Sequence, residues 1–132
     1  MERAARRMES RIDFTQIEWL EWMELGTARM KIALIPGTKL RLIEFPPGFE
    51  QISWCESGHI GYVVEGEMET IIEAETVVFK KGDALVIRAG AKHRSRNIGE
   101  EPVLLFLVDD FEHGSHEVML KVMHATPPGA NA

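Results

Sequence analysis

No single periodicity is sustained for long in this chain, and that limits what it can fold into. Between residues 29 and 108, short apolar runs alternate with glycine or proline punctuation. The runs are Arg29 to Ile35, Lys39 to Phe45, Gln51 to Cys55, Ile60 to Glu65, Glu67 to Ile72, Thr76 to Phe79, Ala84 to Arg88, His93 to Asn97 and Val103 to Val108. The breaks are Pro36-Gly37, Pro46-Pro47-Gly48, Gly58, Gly66, Lys81-Gly82-Asp83, Gly90 and Gly99. Many short strands separated by turn residues predict an all-β sandwich or barrel.

The ends behave differently. Residues 12–25 hold Ile12, Phe14, Ile17, Trp19, Leu20, Trp22, Met23 and Leu25 among acids, with spacing neither helical nor alternating. This stretch is expected to form a short helical turn or extended arm, its tryptophans packed on the outside of the barrel or on a second subunit. A short helix is expected over Ser115 to His124. Residues 1–11 read as a flexible extension, 12–125 as one domain and 126–132 as a disordered tail. Met8 is a candidate start.

A chain of 132 residues suits one core. The net charge of −6 gives no basic field for nucleic acid. No apolar stretch approaches the roughly 20 residues that span a bilayer. The arginines of Met1 to Arg7 lack the apolar core of a secretory signal. The single cysteine, Cys55, precludes an internal disulfide and fits a reducing compartment, so a cytoplasmic location is expected. Cys55 is then a buried filler, a free thiol or a metal ligand.

Two segments stand out. One is His59-Ile60-Gly61-Tyr62-Val63-Val64-Glu65-Gly66, and the other runs from Gly82 through His93 to Asn97. Each sets one histidine against a short apolar run. Residues two apart on a strand share a face. His93, Ser95 and Asn97 should therefore point inward together, with Arg94 and Arg96 outside. His59, Gly61 and Val63 should share a face, Gly61 leaving room beside His59. Gly66, Gly82 and Gly90 allow turns with positive φ.

The pattern Gly82, five residues, Arg88-Ala89-Gly90, two residues, His93, three residues, Asn97 resembles the second cupin motif, with Arg88 where the family usually has proline. Pro47-Gly48 and Gly66 match the ends of the first motif. Counted from Gly66, His59 takes the usual glutamate's place, Cys55 the second histidine's and Ser53 the first's. Counted from Gly48, the histidine places fall on Trp54 and Glu56, so the loop is one residue short. The resemblance covers about residues 40 to 110. It implies an antiparallel jelly-roll β-barrel, often a homodimer, with a small-molecule ligand inside.

Cys55, His59 and His93 would give two nitrogens and one sulfur, the three-ligand pattern of catalytic zinc sites. Thiolate and imidazole also suit iron, nickel or copper, and manganese is a further expectation. Glu56 is the alternative ligand. With Glu56 or Glu50 in place of Cys55, two histidines and a carboxylate would favour non-haem Fe(II). Without metal, His59 and His93 would be hydrogen-bonded pocket histidines and Cys55 part of an apolar floor.

Tyr62, Glu50 and Arg88 are the candidate acid–base or orienting groups. Parity puts Tyr62 opposite His59, and Arg88 is as readily a surface arginine. His113, His116 and His124 fit solvated side chains better than a metal cluster. Three functions follow: a metal-dependent enzyme of dioxygenase, isomerase or lyase type, a non-catalytic small-molecule binding module, or an interaction protein dimerising through Trp19 and Trp22. The first two share the same pocket. Neither a membrane nor a nucleic acid is expected as a partner.

Overall fold

The computed structural model of the chain describes residues 10–110. A 3-10 turn, Phe14–Gln16, comes first, capped by the Asp13 carboxylate, which accepts from the Thr15 backbone N–H at 3.0 Å. Nine strands follow: β1 (Leu20–Glu24), β2 (Gly26–Ile35), β3 (Thr38–Phe45), β4 (Gly58–Glu65), β5 (Glu67–Ile72), β6 (Glu75–Lys80), β7 (Ala84–Ile87), β8 (His93–Asn97) and β9 (Val103–Asp110). Every ladder is antiparallel. Six strands form one sheet in the order β1-β2-β3-β9-β4-β7, and three form the other in the order β6-β5-β8. This is an antiparallel jelly-roll arrangement, its sheets not closed into one continuous ladder. Among the described residues no helix is long and apolar enough to cross a membrane.

Alternation decides which side chains enter the core. On β9, Val103, Leu105 and Leu107 are buried, and Asp109 follows in the same inward register. On β3, Ile43 and Phe45 point in, with Arg41 two residues before them. The outward residues Leu104, Phe106 and Val108 of β9 are apolar too, and Phe14 covers one of them, meeting Phe106 edge-on at 6.2 Å. Met68 of the small sheet closes the core against Ile43, Val63, Val103 and their neighbours. Phe45 and Phe49 stack at 4.6 Å, and Trp22 meets Phe49 edge-on at 5.6 Å. Buried Phe49 is one of the largest side chains of the core, and truncating such a ring costs about 3–5 kcal/mol.

Residues 49–55 tie the two sheets together without forming a continuous strand. Glu50 bridges both Leu25 and Arg96, and Cys55 bridges His93. The expected Gln51 to Cys55 strand is therefore reduced to bridges. Glu24, at the end of β1, holds this link. Its carboxylate accepts from the Ile52 N–H at 2.9 Å, the Ser53 N–H at 3.1 Å and the Ser53 hydroxyl at 2.8 Å.

The short helical turn or extended arm expected over residues 12–25 is a 3-10 turn followed by an edge strand, which pairs with β2 from Leu20↔Met30 to Glu24↔Gly26. Its two tryptophans part company. Trp19 lies under Arg29 and Lys31, 4.1 and 4.8 Å from its ring centroid. Trp22 turns inward to Phe45 and Phe49, which corrects the expectation that both pack outside. The expected helix Ser115 to His124, the tail, His113, His116, His124 and Met8 lie outside the described residues.

Candidate metal centre

Three separate segments deliver Cys55, His59 and His93 to one point. Cys55 and His93 face each other across a bridge, each backbone N–H donating to the other's carbonyl at 2.9 Å. His59 arrives on β4 from the large sheet. The Cys55 Sγ lies 3.8 Å from His59 Nε2, and the imidazoles meet edge-on with centroids 5.0 Å apart. One donor atom from each of the three residues fits within 4.8 Å of the others.

Each imidazole's remaining nitrogen is committed elsewhere, and this fixes the proton positions. His93 Nδ1 lies 2.8 Å from the Ala91 carbonyl, which can only accept, so Nδ1 carries the hydrogen. His59 Nδ1 lies 2.8 Å from Asp109 Oδ1, and the ionised carboxylate likewise accepts. In the neutral rings both Nε2 atoms are then lone pairs. His93 Nε2 is buried and has no hydrogen-bond partner among the described residues.

Asp109 is itself held. Arg41 Nη2 donates to Oδ1 at 3.0 Å, and Lys39 Nζ stands 3.7 Å from Oδ2. Arg41 Nε is 2.9 Å from Oδ2 but lies off the hydrogen-bonding line, so this contact is a charge contact alone. Burial pushes the Asp109 carboxyl up, but His59 and Arg41 outweigh it and hold it below its ordinary value. For His59, burial lowers the imidazole while Asp109 and Cys55 together raise it, and the net shift is upward. His59 and then His93 draw the Cys55 thiol down to about 5, against the opposing effect of burial.

The three side chains open into a cavity of about 110 Å³ between the sheets. Trp22, Ile43, Phe45, Met68, Leu85, Ile87, Leu105 and Leu107 make most of its wall. Polar groups enter from Arg41, Gln51, Thr70 and Ser95. Leu107 fills the space expected beside His59, because a Cβ on Gly61 would lie 2.5 Å from Leu107 Cδ2.

The other residues singled out in the sequence lie elsewhere. Tyr62 is 49% exposed, on the face of β4 opposite His59. Arg88 is exposed beyond the end of β7, outside the cavity wall. Glu50 lines a separate shallow cleft with Glu69 and Arg94. Glu56 is exposed, and its backbone carbonyl accepts from the Gly90 N–H at 2.8 Å. Asp109, Arg41, Gln51 and Glu24 were missed by sequence reasoning. Strand parity contained a signal for the first two, since each is a charged residue continuing an inward register.

Fold and site together define a class: a small β-barrel protein with an internal thiol–imidazole cluster facing an apolar cavity. A family model for the cupin domain matches residues 41–109, and the chain belongs to that family. No curated protein matches the sequence. Similar solved structures include KdgF from Halomonas sp., 22% identical with a TM-score of 0.65 over 82% of this chain and 99% of that one. A cupin-2 domain from Rhodospirillum rubrum is 15% identical, TM-score 0.65, over 90% of each chain. A sugar phosphate isomerase from the cupin superfamily of Silicibacter pomeroyi is 16% identical, TM-score 0.64, over 77% of this chain and 76% of that one. At these identities the likeness is one of fold.

The donor set fits a metal. Four-coordinate zinc with bonds of about 2.0–2.3 Å has ligand atoms about 3.3–3.8 Å apart. The 3.8 Å sulfur–nitrogen distance already meets this, and the 4.8 Å limit leaves about 1 Å of closure. The Asp109–His59 pair is the usual carboxylate support of a metal-bound imidazole.

Proposed function

We propose that the chain binds a small organic molecule in its barrel through a divalent transition metal held by Cys55, His59 and His93. The observation that carries this reading is that Cys55, His59 and His93 each bring a donor atom within 4.8 Å of the others, and that His93 Nε2 is buried with no hydrogen-bond partner among the described residues. An orphaned buried nitrogen costs about 1–3 kcal/mol, and a metal bond would remove that cost. Thiolate favours zinc or copper, while iron and nickel remain compatible and manganese is the poorest match.

Three protein ligands leave a position for ligand or water, and a metal there would act as a Lewis acid on a bound oxygen. The chain's own residues have clear tasks. Asp109 orients His59 and keeps its hydrogen on Nδ1. Arg41 balances Asp109, with the more exposed Lys39 beside the pair. The leucine and isoleucine walls exclude water. Tyr62, Glu50 and Arg88 are not among the residues that line the cavity, which argues against them as its acid or base. Such walls also suit a sugar phosphate poorly, because its hydroxyls would meet Leu85, Ile87, Leu105 and Leu107 without partners. Turnover of isomerase, lyase or dioxygenase type belongs to this reading as the activity to assay.

One observation favours a second reading, a binding module without metal. The Cys55–His59 contact can persist as a thiolate–imidazolium pair, so the site can balance its own charge. Elemental analysis of protein purified without a histidine tag separates the two. The metal reading expects about one metal per chain, lost in the His59→Ala, His93→Ala double variant. Failure to retain or rebind zinc, iron, manganese, nickel or copper would leave the metal-free module.

A further inference from the structure

The charge and open donors of the cavity specify its ligand more closely. Among the cavity-lining residues, Asp109's partner Arg41 is the one permanent cation, and the two cancel. Lys39, 38% exposed, is not among the cavity-lining residues, and solvent screens its charge. A divalent metal with the Cys55 thiolate adds a net charge of about +1 inside apolar walls. An uncompensated charge there is costly, so a monoanion completes the site. A dianion would overshoot, and Arg41 is already committed to Asp109.

Gln51 supplies the matching donor. Its side-chain oxygen accepts from the Ser95 backbone N–H at 3.1 Å, which fixes the orientation of the amide. Its NH2 end has no partner among the described residues and is not sealed off, so although Gln51 is only 7% exposed this end stays open to donate in the cavity that Gln51 lines. The neighbouring hydroxyls of Thr70 and Ser95 share one hydrogen bond at 2.7 Å, so only one O–H of the two is left to donate. Ser95 lies two residues from His93 on β8, about 7 Å along the strand. A ligand of a few atoms can therefore reach both the metal centre and Gln51.

We propose, resting on the metal reading above, that the cavity takes a short-chain monocarboxylate, its carboxylate between the open metal position and the Gln51 amide and its alkyl tail against the apolar wall. Size agrees. The cavity of about 110 Å³ is smaller than the roughly 150 Å³ that accepts benzene, which indicates about four to six non-hydrogen atoms. Gln51 is then the residue that sets specificity for a carboxylate over an alcohol.

The test uses the full chain loaded with Co2+, whose thiolate and ligand-field absorption reports both the metal and its fourth ligand. Butyrate is expected to shift the ligand-field bands saturably, and butyramide and n-butanol to bind at least about tenfold more weakly. Gln51→Leu should keep the cobalt spectrum and weaken butyrate about tenfold or more. Gln51→Glu retains an acceptor for the Ser95 N–H, so it guards against misfolding, and should keep cobalt while losing butyrate by charge repulsion. Equal binding of butyramide and butyrate, or wild-type butyrate affinity in both variants, overturns the proposal. Absence of the thiolate–cobalt band before any carboxylate is added sinks the underlying metal reading instead, and with it the proposal.

Discussion

Asp109 governs the proton arrangement at the centre of the molecule. Its folded pKa is depressed, so its contribution to stability is complete above the ordinary carboxylate value near 4 and fades as pH falls through the lower folded value. His59 has the opposite sign. Its folded pKa is raised, so its contribution is complete below about 6.5 and fades as pH rises through the folded value. In metal-free protein, Asp109→Asn should therefore cost most between about pH 4 and 6.5, on the order of 3 kcal/mol for a broken buried pair. Urea unfolding across pH would show this as a difference that narrows on both sides. A difference independent of pH would mean that the pair does not ionise as described. Cys55 gives a second readout. Alkylation of the metal-free protein by iodoacetamide should titrate near 5, where an ordinary thiol titrates near 8.5. Zinc should slow the reaction, and an inflection near 8.5 would contradict the His59 and His93 contacts.

The strands were legible wherever burial falls on one face. The runs from Arg29 to Val108 recur as β2 to β9 with only small changes at their ends, apart from Gln51 to Cys55. The inward register of His59 and His93 followed from parity alone. β1 was hidden because Leu20 is 52% and Met23 74% exposed, so this edge strand shows no alternation. Asp109 lay one residue beyond the apparent end of β9, and its charge made it look like the start of a loop. Gln51 and Cys55 could not be placed from spacing, because the Glu24 carboxylate sets the path of their segment through bonds to residues 28 and 29 positions away. Turn chemistry makes a further prediction. Gly66 and Gly82 both have positive φ, +88° and +95°. A Cβ at Gly66 would lie 2.6 Å from the Pro102 carbonyl oxygen, whereas at Gly82 nothing lies within 4 Å. Gly82→Ala should cost about 1–2 kcal/mol from backbone strain alone. Gly66→Ala adds the clash and should cost about 3 kcal/mol or more. Denaturant unfolding of the two variants checks the order, and equal losses would mean that the β4–β5 turn relaxes freely.

At the scale of the molecule, the candidate metal centre is also a cross-link. His59 belongs to the six-stranded sheet, His93 to the three-stranded sheet, and Cys55 to the segment that passes between them. Backbone bridges and the Glu24 carboxylate already fasten that segment, but a metal would join all three parts at one point. Because the donors converge only in the native chain, metal affinity becomes folding stability. Free metal at 100 times its dissociation constant stabilises by about 2.7 kcal/mol, which for a domain of this size raises Tm by about 10 °C. Chelation of the metal-loaded protein should lower Tm by about that amount, and readdition of zinc should restore it. His93→Ala, which leaves Cys55 and His59 on their own segments, should unfold at a temperature that chelator does not change. If protein shown by elemental analysis to carry one metal kept its Tm after chelation, the metal would sit outside the folded barrel, and the sheets would be held by their core alone.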